Sequence, residues 1–217
     1  MDIAHLVPAL PDDLVARQAV DYVRWCESEP VANHSFRTYV FATLLAEHEG
    51  LTAGADFDPD LLFHACVMHD LGTSPSAPGL TRFEIEGADM AAEFLTGHGY
   101  GTPEIDAVWE AIALHTTPGI AERTSVLAYL TRSGVAGDFG VGVDHVTDAQ
   151  GAALHLRYPR LNVVTALVDG IVQHAARAPQ TAAPRNTPAH NLIQERGELG
   201  TNPTAMELGA SASRWGA

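Results

Sequence analysis

The chain contains no lysine; all twelve of its basic residues are arginines. Schiff-base chemistry at a lysine and a Walker-type phosphate lysine are therefore excluded. Cysteine is nearly as scarce, with Cys26 and Cys66 alone and no CxxC pair. Both lie in apolar helical patterns, which reads as two buried free thiols rather than a disulfide framework. Apolar neighbours disfavour a thiolate at Cys66, so a nucleophilic role is not expected there. No apolar run approaches the roughly 20 residues of a membrane-spanning helix. The first residues, Met1-Asp-Ile-Ala-His-Leu-Val-Pro8, lack the basic start and long apolar stretch of a signal peptide, so the expected location is the cytoplasm. Positive charge is outnumbered, and the net charge of −15 argues against nucleic acid or an anionic membrane as partner. A small-molecule substrate remains, and homo-oligomerisation stays open.

What is present suits one helical domain. At 217 residues and 46% hydrophobic content, the chain can build a single core. The periodicity predicts an all-α fold of about seven or eight helices over residues 12–178. An N-terminal arm (1–11) precedes it and an irregular tail (179–217) follows. Expected helices run from Pro11-Asp-Asp13 to about Glu27, and from a cap at Asn33 or Ser35 to Gly50. A third starts at Asp58-Pro59 and ends in His69-Asp70-Leu71-Gly72. A loop from Thr73 to about Leu80 can border a pocket. Helices follow from about Phe83 or Glu86 to Leu95 and from Thr102 to near His115. The next runs from about Arg123 to just before the glycines at 134, 137, 140 and 142. Another is expected from Val143-Asp144 to before Tyr158, and the last from Leu161 to Ala176. Beyond Pro179 the prolines at 179, 184 and 188 break the pattern, with a short helix expected at most near His190–Glu198.

Chemistry concentrates at His69-Asp70. A carboxylate near a helix C-terminus is disfavoured by the helix dipole. A His and an Asp among Leu61, Leu62, Ala65, Val67, Met68 and Leu71 call for a compensating cation. His34, His115 and Asp138 are further candidates at helix ends or in apolar surroundings, on separate elements that a bundle could bring together. Such a His and carboxylate set with an open position suits one divalent metal, zinc first, with iron or manganese as alternatives. Arg37, one turn beyond His34, can bind a substrate anion or pair with a core carboxylate.

The order His34 … His69-Asp70 … Asp138 resembles the H…HD…D signature of the HD-domain superfamily of metal-dependent hydrolases. Four words, Asn33-His-Ser-Phe-Arg-Thr-Tyr39, Phe63-His-Ala-Cys-Val-Met-His-Asp-Leu-Gly72, Arg82-Phe-Glu-Ile-Glu-Gly87 and Tyr158-Pro-Arg160, are similar to its cyanamide hydratase-like branch. The resemblance covers roughly residues 12–178. It implies His34, His69, Asp70 and Asp138 as metal ligands, with Asp144 as the alternative for the last. Ala111-Ile-Ala-Leu-His115 is similar to the segment that places a His near the metal, as a proton-transfer residue or a further ligand. Asp70, His115 and Glu86 are the implied catalytic residues. Arg37, Thr73, Arg82 and Glu84 are the implied substrate-binding residues.

The resemblance implies attack of a metal-activated water on a small substrate, cyanamide or a related nitrile. The alternatives are a phosphohydrolase using Arg37, Arg82, Arg123 and Arg132, a di-iron oxygenase recruiting His98 and His115, and a non-catalytic helical scaffold.

Overall fold

Local capping starts two helices where the sequence predicts them. The Asp13 carboxylate accepts from the amides of Val15 and Ala16 and opens α1 (Leu14–Cys26). Asp58 caps α3 (Pro59–Met68) in the same way, with proline in the first turn. The computed structural model describes residues 4–200 and 202–216. Its other helices are α2 (Glu29–Glu49), α4 (Phe83–Gly97), α5 (Thr102–Leu114), α6 (Ala121–Thr124), α7 (Val126–Asp138) and α8 (Asp148–Arg157). The chain continues through α9 (Val163–Ala175), α10 (Pro179–Ala182), α11 (Pro188–Leu199) and α12 (Ala205–Ser211). Short 3-10 turns span Ala4–Leu6 and Leu71–Thr73. The fold is all-α, and no strand occurs among the described residues beyond an isolated Ala53–Phe57 bridge. No described helix is long and apolar enough to cross a membrane.

Helix α2 is the central post, with both apolar and polar side chains buried along most of its length. It begins earlier than expected, at Glu29, because Pro30 falls in the first turn, where a missing N–H costs nothing. His34 therefore sits in a formed helix rather than at its edge. Helix α7 forms the most extensive pairing with α2 and runs through Gly134 and Gly137 instead of stopping before them. A Cβ on Gly134 would lie 2.4 Å from the Thr38 carbonyl oxygen. These glycines allow two helix backbones to touch, and the contact outweighs their poor helix propensity. The consequence is that Asp138 occupies the last turn of α7, facing α2.

Helix α8 starts at Asp148, later than expected, because Thr147 and Gln150 form a capping box. The segment after Pro179 departs furthest from expectation. Beyond the short helix expected near His190–Glu198, which is α11, it forms α10 and α12, and Ala182, Ala183, Ala189 and Leu192 join a second apolar cluster with Leu167, Val168 and Ile171 of α9. Thr187 and Thr204 cap α11 and α12. Arg196 ties them to Asp169 of α9 and Glu207 of α12. The sequence signal was weak because each helix is short and gains its stability from docking on α9.

Candidate metal centre

Two glycines bring distant words of the sequence together. A Cβ on Gly72 would lie 1.9 Å from the Phe83 carbonyl oxygen, and one on Gly87 would lie 3.0 Å from the Gly72 amide nitrogen. The start of α4 is thereby pressed onto the turn carrying His69 and Asp70. His34 comes from α2, His69 from the C-terminal cap of α3, Asp70 from the next residue, and His115 from the cap of α5. All four are buried.

Each imidazole has its Nδ1 engaged. His69 Nδ1 donates to the Cys66 carbonyl at 2.7 Å, and His115 Nδ1 to the Ile112 carbonyl at 2.6 Å. His34 Nδ1 donates to Asp138 Oδ2 at 2.7 Å. In the neutral rings this leaves a lone pair on every Nε2. The Nε2 atoms of His34 and His69 stand 3.2 Å apart. Asp70 Oδ2, buried and without a well-directed hydrogen bond, lies 3.1 Å from His69 Nε2 and 3.5 Å from His34 Nε2. Ligand atoms of His34, His69 and Asp70 all fall within 4.8 Å of one another. His115 flanks this triad, with Nε2 3.7 Å from Asp70 Oδ1.

Such a packing of lone pairs and a carboxylate fits a divalent cation. Carbonyl and carboxylate partners on Nδ1 are the usual supports of metal-binding histidines. Asp70 also pairs electrostatically with the rings and, against the effect of burial, raises the pKa of His69. Burial would raise the Asp70 carboxyl, but His69, His34 and His115 around it hold it well below the usual range. Burial, reinforced by His69 and opposed by Asp70 and Glu84, pushes His115 down to about 4, keeping it neutral near pH 7.

Asp138, expected as the last ligand, lies outside the His34–His69–Asp70 cluster. Its Oδ1 accepts from Arg37 Nε at 2.7 Å and Arg160 Nη1 at 2.9 Å; its Oδ2 accepts from Arg37 Nη2 at 2.7 Å and from His34. Both oxygens are occupied, behind His34 and on the side away from His69. The alternative, Asp144, is exposed on the loop before α8. Arg37 takes the second of its two expected roles, pairing with a core carboxylate.

Other expected residues also move to supporting positions. Glu86, expected to be catalytic, accepts from the amides of Gly79, Leu80 and Thr81 and pairs with His174 at 2.8 Å. It staples the 74–81 loop to α9. Thr73 donates its hydroxyl to the Asp70 carbonyl at 2.8 Å, which shapes the turn. Arg82 is paired with Glu84, which also accepts from Thr116 at 2.6 Å beside His115. His98 stacks on Phe94 with its Nδ1 on the Phe94 carbonyl, outside the centre.

The centre opens into a cavity of about 520 Å³. His34, Asp70 and His115 line one end. Phe139, whose ring packs 5.3 Å from that of His34, and residues of α7, α9, α11 and α12 form the walls. Sequence reasoning missed these walls and also Arg160. The Tyr158-Pro-Arg160 word marked the place of Arg160 but not its contact with Asp138.

The HD domain family matches residues 31–167. The chain belongs to the HD domain family. Two proteins of Saccharomyces cerevisiae, cyanamide hydratase DDI2 and cyanamide hydratase DDI3, are each 24% identical to it over 173 residues. The alignment covers 78% of this chain and 76% of each relative. Within the HD domain match lie His34, the His69-Asp70 pair, His115 and Asp138. The chain therefore resembles the cyanamide hydratase-like branch, and its buried His34–His69–Asp70 cluster is where an HD domain's divalent metal fits.

Proposed function

We propose that this chain is a metal-dependent hydratase that adds water to a small neutral C≡N substrate, cyanamide or a related nitrile. The observation that carries the reading is the convergence of His34 Nε2, His69 Nε2 and the Asp70 carboxylate, with each imidazole Nδ1 already donated elsewhere. His34, His69 and Asp70 would hold one divalent ion, zinc first. When bound, such an ion lowers the pKa of water toward neutrality and orients it.

The protein's own groups handle protons and position. Asp138 holds the His34 ring with Nε2 forward. His115 offers a lone pair at Nε2, beside Asp70 Oδ1, as the acceptor of a proton from the attacking water. The water oxygen bonds to the substrate carbon, and His115 returns the proton to the substrate nitrogen. A second proton shift from oxygen to nitrogen turns hydrated cyanamide into urea, with no leaving group. Glu84, held by Arg82 and Thr116, keeps negative charge near His115.

A phosphate ester is a poorer match. Arg37 is engaged with Asp138 and Arg82 with Glu84, while Arg132 has Glu122 Oε1 3.9 Å away. Among the described residues lining the cavity, Arg132 is the single arginine, which makes no cationic cluster for a phosphoryl group. Oxygen chemistry at two irons lacks support from His98, which is turned onto Phe94.

Elemental mass spectrometry on wild type and Asp70→Ala, paired with a urea assay on cyanamide, tests the reading. About one divalent ion per wild-type chain, lost together with urea formation in the variant, is expected. A full complement of metal in Asp70→Ala, or two irons in the wild type, overturns it.

A further inference from the structure

The cavity is far larger than cyanamide. At about 520 Å³ it lies within the range of roughly 300–1,000 Å³ that holds drug-sized ligands. A three-heavy-atom substrate at His34, Asp70 and His115 would leave most of it to water. Its walls offer that water few partners: Val135 of α7, Phe139, Leu167 and Ile171 of α9, Leu192 of α11 and Met206 of α12. An apolar cavity favours apolar contents. Its polar lining is confined to the metal end with Thr116, and to Arg132, whose charge is partly offset by Glu122. Leu192 and Met206 lie beyond residue 167, where the HD domain match ends. Part of the cavity wall thus comes from the C-terminal segment beyond the HD domain match.

We propose that the substrate is a neutral nitrile carrying an aryl or branched alkyl body, held between α7, α9 and the C-terminal helices while its C≡N group meets the metal end. The proposal rests on the hydratase reading for the reaction. The water oxygen bonds to the nitrile carbon as one C≡N π bond opens, and one water proton goes to nitrogen. The other shifts from oxygen to nitrogen, so that R–C≡N and water give R–C(O)NH₂ with no oxidant and no leaving group. Size selection falls to Leu192 and Met206, which a sequence-matched HD domain alone would not contain.

Isothermal titration of the full chain with phenylacetonitrile and with cyanamide, followed by mass-spectrometric detection of the amide or urea, tests this. Each buried methylene strengthens binding about fourfold, so phenylacetonitrile is expected to bind at least about tenfold tighter than cyanamide. The preference should persist in metal-free protein, because the walls supply it. Met206→Trp, and independently Leu192→Trp, should each cut the preference about tenfold by filling the cavity, with circular dichroism and metal content as checks on folding. Equal or tighter binding of cyanamide, or a preference that survives both substitutions in folded protein, overturns the proposal. Binding of phenylacetonitrile with neither amide nor urea formed overturns the hydratase reading, whereas binding without amide beside urea from cyanamide overturns the proposal. Hydration of cyanamide without binding of phenylacetonitrile likewise overturns the proposal and leaves the hydratase reading standing.

Discussion

Asp138 accepts the Nδ1 proton of His34 at 2.7 Å, and in doing so aims the opposite nitrogen of that ring at His69 and Asp70. The carboxylate is itself pinned by Arg37 and Arg160. Burial would raise its pKa, but the Arg37 guanidinium, helped by His34, holds it far below the usual carboxylate range.

Asp138→Asn separates an orienting role from a ligand role. Metal affinity is expected to fall about 10–100-fold, the usual cost of losing an outer partner of a metal-bound histidine. Stability should drop by about 3–5 kcal/mol, because the buried Arg37 loses its counter-charge. Competition with a chelator and urea denaturation measure the two effects. Metal loss as complete as in Asp70→Ala would make Asp138 a ligand.

His115→Ala is expected to retain metal and to lose hydration activity by about 10²–10⁴-fold, the range for a positioned acid or base. Metal content and urea formation from cyanamide on the same preparation decide it. If the metal goes as well, His115 belongs to the ligand set.

Gly72→Ala should destabilise the chain by about 3 kcal/mol, since its Cβ meets the Phe83 carbonyl at 1.9 Å and backbone must move. Gly197→Ala in α11, with nothing within 4 Å of its Cβ, should stabilise by about 0.5–1 kcal/mol. Denaturant midpoints for the pair check the packing argument; similar shifts for both would refute it.

Glu86 predicts part of the acid sensitivity. Burial would raise its pKa, but the amides of Thr81, Gly79 and Leu80 with His174 lower it below that of a free glutamate. A folded-state pKa below the unfolded value of about 4.3 adds stability above that pH, and the gain fades as pH falls toward the folded value. Glu86→Gln is therefore expected to be less stable near pH 7 by about 2 kcal/mol, the scale of a hydrogen bond to a charged group. Its stability should also fall less steeply below about pH 4.3 than that of wild type. Parallel acid limbs for the two proteins would contradict this assignment.

Much of the chemistry was legible before any coordinates. An Asp and a His in an apolar helix end read equally as a hydrogen-bonded core pair, and pointed to a cation only once His34, His115 and the order of the motifs were set beside them. Helix starts at Asp13 and Asp58 were readable because capping is local. Glu84 and Glu86 received separate roles only from the resemblance, since two residues' spacing puts them on different helix faces without saying which neighbours each face meets. The glycines of α7 misled for the same kind of reason. A glycine signals either a helix end or a close crossing, and only the Thr38 carbonyl of α2 shows that Gly134 serves the second.

What the sequence by itself determined is the donor chemistry and the helical class, because residue type, capping and period act within a few residues. The tertiary structure decided which groups face inward. Asp138 stands behind His34 because Arg37 and Arg160 converge on it from α2 and from the segment after α8. The cavity's size belongs to the tertiary structure too: Leu192 and Met206 line it only because α11 and α12 dock on α9, and that burial is a property of neighbours far apart in the chain.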